Sequence, residues 1–219
     1  MKHFQIYANR HLSRETKAFY HVRYTGWKNQ GNPDFLNVLK NTFNDLSEAK
    51  LRSAVKELHD TLREDLPQIL EVLGFNSLVV CVVPRAKAEN AYYQNQLLFR
   101  ATVQMVIRQM PGFVDGTGYI RRHTSTRTTH FRKPIPNYVN DGPQPYPGIT
   151  KDTCEISPHV KGNDVLLIDD IYTPGVNIDE DAINTLLNAG AGTVTFYAVG
   201  RVIPDYLTQV ATLIEKRSP

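Results

Sequence analysis

Apolar positions fall into distinct periods along the chain. Leu51, Val55, Leu58, Leu62 and Leu66 recur at steps of four, three, four and four, the stripe of an amphipathic helix predicted over residues 45–73. Asp45 with Glu48 suits a capping box, Pro67 marks a restart or kink, and Gly74 a stop. From residue 77 the period changes. Ser77–Val83 is a continuous β-branched run, as expected of a strand covered on both faces. A helix is predicted at Ala91–Gln109, with Leu98, Thr102, Met105 and Val106 on one side. Short strands follow at Tyr119-Ile120 and Cys154–Ser157, a buried strand at Asp164–Ile168, a helix at Ile178–Ala189 and a strand at Thr193–Val199. Asp205–Lys216 reads as a closing helix. Before residue 44 the pattern is weaker, with Phe4, Ile6, Phe19, Val22 and Tyr24 suggesting short strands.

Buried strands alternating with helices predict an α/β fold, a parallel twisted sheet with helices on both faces. The division expected is an N-terminal hood of helix and strands over residues 1–74 and an α/β core over residues 75–219. Inside the core, residues 121–150 form an outlier. Arg121, Arg122, Arg127, Arg132 and Lys133 carry five positive charges in thirteen residues, and five prolines follow. A loop of that length in a compact domain serves as a lid or binding loop, and this one suits an anionic ligand.

Composition narrows the class. With 41% hydrophobic and 21% charged residues, the 219-residue chain can bury a core and is not disordered as a whole. No apolar run approaches a membrane span. Met1-Lys2-His3-Phe4-Gln5 lacks the apolar stretch of an export signal, so a cytoplasmic location and no membrane partner are expected. Cys81 and Cys154 read as two buried thiols. A net charge of +3 does not by itself argue for nucleic acid. The seven histidines show no metal-ligand spacing, and no serine-based triad is apparent.

The sharpest signal is Val165-Leu166-Leu167-Ile168-Asp169-Asp170-Ile171-Tyr172-Thr173-Pro174-Gly175-Val176-Asn177. It reads as a buried strand ending in two carboxylates, then a small-residue loop opening a helix. Ligands of open α/β sheets bind beyond the carboxyl ends of strands, and loop N–H groups at a helix start cradle anions. Carboxylates beside such a cradle suit a ligand with a vicinal diol near a phosphate, the shape of a ribose 5-phosphate. Upstream, Val82-Val83-Pro84-Arg85-Ala86-Lys87 ends another buried strand in a turn with two cations, a planar fork and a point charge for phosphate oxygens.

The thirteen-residue string resembles the phosphoribosyl pyrophosphate (PRPP) motif of type I phosphoribosyltransferases (PRTases), and the chain is broadly similar to competence-protein-F-like and amidophosphoribosyltransferase-like members. The resemblance covers about residues 77–202 and implies a PRTase-like Rossmannoid core. It implies that Asp169 and Asp170 contact the ribose hydroxyls, and that Thr173, Pro174, Gly175, Val176 and Asn177 wrap the 5′-phosphate. Arg85, Ala86 and Lys87 would form the pyrophosphate loop. Residues 121–150 would be the flexible catalytic loop, with Arg122, Arg127, His130 and Arg132 reaching the pyrophosphate. The implied reaction is transfer of phosphoribose from PRPP to a nitrogen nucleophile, a nucleobase in most of the family, with Mg2+ carried on the substrate. Gly200-Arg201-Val202 would face the base. Pro174 and Asn177 depart from the family pattern, and Pro174 removes one backbone donor. The alternative is a catalytically weak or inactive regulator of the same fold that binds PRPP or a nucleotide and contacts RNA or a protein. The oligomer, including a homodimer, stays open, as do the acceptor and the metal ligands.

Overall fold

A computed structural model describes residues 1–128, 138, 140, 142 and 152–203. The expected helix at 205–216 lies outside the described residues, as do His130, Arg132 and Lys133.

The protein is an α/β molecule built on one mixed, mostly parallel sheet. In chain order its elements are β1 (Lys2–Ile6), β2 (Thr16–Tyr24), α1 (Asp34–Lys40), α2 (Glu48–Leu73), β3 (Leu78–Val82), α3 (Leu98–Ile107), β4 (Phe113–Asp115), β5 (Ile120–Arg122), β6 (Cys154–Ile156), β7 (Asp164–Tyr172), α4 (Ile178–Asn188) and β8 (Thr193–Val202). The main sheet has the order β1-β2-β8-β7-β3-β4, and β5 and β6 form a separate antiparallel pair. Only β1 runs antiparallel to its neighbour in the main sheet.

β7 lies at the centre because Val165, Leu166, Leu167 and Ile168 are apolar on both faces, and all four are fully buried. One face packs Leu167, Phe196 and Cys81 against Ala182, Ile183 and Leu186 of α4. The other packs Val80, Ile168 and Tyr197 against Leu36 and Leu39 of α1, Leu58, Leu62 and Leu66 of α2, and Val103 and Val106 of α3. The connection from β3 through α3 to β4 thus runs over one face, and that from β7 through α4 to β8 over the other. They diverge between β3 and β7, which makes the carboxyl ends of those strands the switch point where a crevice opens.

The N-terminal strands join this sheet. β2 pairs in parallel with β8, Phe19 opposite Tyr197 and Tyr20 opposite Ala198, so the sheet takes in strands from both sides of residue 74. A seven-residue helix, α1, occupies a stretch in which the sequence pattern shows no helical period. α2 begins after Ser47 without a side-chain cap and runs through Pro67 without restarting, so neither the Asp45 box nor the break forms. It does stop at Gly74, left-handed at φ 69°, whose N–H reaches the carbonyls of Leu70 and Glu71. α3 is shorter than expected, since residues 89–96 form two 3-10 turns instead, and Met105 is exposed. Cys81 and Cys154 are both buried and form no disulfide among the described residues; burial pushes the Cys81 thiol up to about 12, so it is inert. No helix among the described residues is long and apolar enough to cross a membrane.

Candidate ligand cleft

β7 does not end before the acid pair. It continues through Tyr172, with Asp169 opposite Ala198 and Ile171 opposite Gly200 on β8. Because successive strand residues point to opposite faces, the two carboxylates meet different helices. Asp170 turns towards α1, where its Oδ2 lies 3.4 Å from Lys40 Nζ. Asp169 turns towards α4, where it meets the buried carboxyl of Asp179. Asp169 Oδ1 also accepts the N–H of Asp170 at 2.7 Å.

Both carboxylates line one cleft with Lys40, Arg85, Arg122 and Arg127. Arg85 and Ala86 come from the turn after β3. The Arg85 guanidinium stacks 4.4 Å over the Tyr92 ring and donates to the carbonyl oxygen of Gln96. Arg122 is not a loop residue: it sits in β5, is 5% exposed, and its Nε donates to the Arg85 carbonyl at 2.7 Å. Burial lowers its pKa, and the neighbouring Cys154, Tyr92 and Asp181 oppose that. Thr126 ties the start of the basic segment down by donating its N–H and hydroxyl to the Ala86 carbonyl at 2.7 and 2.9 Å. Arg127 follows, its Nε donating to the Gly142 carbonyl at 3.2 Å. Lys87 borders a smaller adjoining cavity with Arg85, Arg100 and Arg122.

The cradle expected at residues 173–177 lies at the edge of this cleft rather than in its lining. Gly175 at φ 82° and Asn177 at φ 64° turn the chain into α4, as the short polar or absent side chain permits. Pro174 offers no N–H, and that of Val176 is committed to the Thr173 carbonyl at 3.3 Å. The N–H groups of Gly175 and Asn177 make no hydrogen bond among the described residues. Beyond them α4 opens on Asp179, Glu180 and Asp181, all buried. The Tyr172 hydroxyl donates to Glu180 at 2.9 Å. Glu180 and Asp181 already complement the helix dipole, so an anion meets less positive potential here than at an uncharged helix start. Arg201 faces away from the cleft, its guanidinium 3.9 Å from the Phe4 ring centre.

Burial pushes the Asp169 carboxyl up to about 7, with Asp170 adding to the effect. Asp179 is raised well above the ordinary carboxylate value, first by burial and then by Asp169. Lys40 remains an ammonium: burial opposes its charge, but Asp170 and Asp169 hold its pKa above the ordinary value.

Lys40, Asp179 and Gln96 carry no motif and are not singled out by the sequence pattern. Gln96 is nonetheless the tie between the two walls. Its side-chain amide donates to the carbonyls of Asn41 at 2.9 Å and Thr42 at 3.1 Å, while its own carbonyl receives Arg85. No group of three or more histidine, cysteine or acidic side chains placed to hold a metal occurs among the described residues. No protein-family model matches the chain, and no curated protein matches it in sequence.

Proposed function

We propose that the cleft binds PRPP and transfers its phosphoribosyl group to a nitrogen nucleophile, releasing pyrophosphate. One observation carries the reading: at the switch point of a parallel sheet, cations from the β3 turn and the basic segment share a single cleft with the Asp169-Asp170 pair of β7. A ligand with a diphosphate at one end of a ribose and a diol beside it satisfies both sets of groups.

In this reading Asp169 and Asp170 accept hydrogen bonds from the ribose hydroxyls and favour the positive charge that grows on the ring as the C1–O bond breaks. The bonding electron pair leaves with the pyrophosphate, towards Arg85 and Arg127. The nucleophile's nitrogen bonds to C1 and loses its proton to solvent water. Holding the reactants in line supplies much of the acceleration. A magnesium ion would be carried mainly by substrate oxygens and water. Bound there, Mg2+ would neutralise charge on the leaving pyrophosphate.

A second reading, a PRPP- or nucleotide-binding regulator, is favoured by Pro174 and by the three acids that open α4, which weaken the 5′-phosphate cradle. Pyrophosphate release from PRPP with Mg2+ and a panel of heterocycles tests the two, with Asp169→Asn/Asp170→Asn as control. Release that needs one acceptor and vanishes in the control supports the transferase. Binding of PRPP without release supports the regulator, and no binding refutes both.

A further inference from the structure

We propose that Gln96 is a positioning residue that fixes the distance between the two ends of the cleft, Arg85 at one and Asp170 with Lys40 at the other. The cleft thereby reads its ligand by length. The proposal rests on the PRPP reading above.

Gln96 does not line the cleft. It sits behind it, 6% exposed, in the wall of the smaller adjoining cavity. Every polar atom it has is committed. Its N–H donates to the Tyr93 carbonyl at 3.0 Å, and its Oε1 accepts the Tyr93 N–H at 3.2 Å. Its backbone carbonyl accepts from the Arg85 guanidinium, which also stacks over Tyr92. Nε2 donates to the carbonyls of Asn41 and Thr42, the two residues that follow α1. One residue therefore grips the β3 turn with its main chain and the end of α1 with its side chain. Neighbours strengthen both grips. The Tyr92 hydroxyl accepts the Lys87 N–H at 2.9 Å, and the Asn95 carbonyl accepts from Asn41 Nδ2 at 3.4 Å.

Lys40 is the last residue of α1 and Thr42 lines the cleft, so a shift of the Asn41 and Thr42 carbonyls moves that wall and the ammonium beside Asp170. A primary amide is the side chain that fits, since two carbonyls need donors and one N–H needs an acceptor. A buried network with every member satisfied holds a single geometry. That matters for a ligand gripped at both ends, because misplacing a reacting group by about 1 Å can cost about 100-fold in rate. Pyrophosphate alone reaches only the Arg85 end and makes no such demand.

The test compares the whole ligand with its part. Calorimetric Kd values for PRPP and for pyrophosphate are measured with Mg2+ and no acceptor on the wild type, Gln96→Met and Gln96→Glu. The first variant keeps the length without the donors; the second keeps the shape and the acceptor for Tyr93. Both keep the backbone carbonyl that Arg85 uses. In both, PRPP affinity is expected to fall at least about tenfold while pyrophosphate affinity stays within about threefold of the wild type. With an acceptor that supports turnover, kcat is expected to fall by a larger factor than KM rises. A merely structural defect would weaken both ligands alike. Proportional losses, or no loss, in a folded variant overturn the proposal and leave the PRPP reading standing. If Gln96→Met does not fold, Gln96→Glu decides; failure of both to fold makes Gln96 a structural residue and overturns the proposal too. A wild type that does not bind PRPP removes the PRPP reading and this proposal with it.

Discussion

Asp169 of β7 and Asp179 of α4 bring two buried carboxyls together, joining the first turn of α4 to the centre of the sheet. The native state therefore holds protons that the unfolded chain releases. Both carboxyls have raised pKa values, Asp169 at about 7. Wherever the folded state binds more protons, stability falls as pH rises. The contribution of this pair is complete below the ordinary carboxylate range and erodes as pH climbs through about 7. Asp179→Asn replaces the protonated acid by a neutral donor of the same shape. It is expected to leave the melting temperature unchanged at pH 3, below the ordinary carboxylate range, and to raise it at pH 8 by about 2–4 °C, roughly 1 kcal/mol for a chain this size. Thermal melts across pH check this; a variant slope parallel to the wild type means the pair shares no proton.

Asp170 answers to a different partner. Its ion pair with Lys40 is about a quarter exposed on both sides, so its contribution to stability is small, under about 1 kcal/mol. Asp170→Asn is expected to shift the melting temperature little while lowering pyrophosphate release about 100-fold, because a charge that stabilises the reacting ribose is lost. Activity and stability falling in proportion would assign the residue a structural role.

Asp65 is the buried acid of the other face. It is fully enclosed, and its Oδ2 accepts from the Tyr197 hydroxyl at 2.9 Å and meets His21 Nδ1 at 3.0 Å, with the Met1 ammonium 3.8 Å from Oδ1. Burial, then Asp65, hold the Tyr197 phenol well above its ordinary value, so it stays a donor. Asp65→Ala strands that hydroxyl in the core and is expected to cost about 3 kcal/mol. Asp65→Asn, which can still accept, should lose less. Urea unfolding gives both values; PRPP affinity serves as the control, since Asp65 does not line the cleft.

Gly116 follows β4 where the chain crosses β3. A Cβ there would stand 2.6 Å from Val79 Cγ1, 2.9 Å from Tyr119 Cδ2 and 3.0 Å from the Val80 carbonyl oxygen. The valine and the backbone belong to a strand inside the sheet and cannot swing aside. Gly116→Ala is expected to destabilise by about 1–3 kcal/mol through overpacking, measurable by the same unfolding series.

What could be read from the sequence follows from how locally each feature is encoded. The strands at Leu78–Val82 and Val165–Ile168 are continuous apolar runs, and Val194–Val199 is interrupted only by Thr195; they are legible because burial on both faces leaves few polar positions. α2 is legible because its period holds over many turns. The start of α4 and the Arg85 turn are marked by their own residues. The continuation of β7 through Asp169 and Asp170 is not, because carboxylates are poor strand formers and only pairing with β8 holds them extended. Lys40 and Gln96 are equally silent: one is a lysine at the end of a seven-residue helix, the other a glutamine in a 3-10 turn. Their importance comes from the tertiary contacts that carry them to the cleft.

The parallel pairing of β2 with β8 also sets an order of events during synthesis. β2 leaves the ribosome early, yet the strand that covers its inner edge spans Thr193–Val202. Until then its peptide groups on that side have only water or another chain to bond. Non-local parallel pairing of this kind slows folding and prolongs exposure of strand edges. The nascent chain must therefore carry an unclosed β1–β2 hairpin until β8 emerges, and that hairpin is a segment a chaperone would shield.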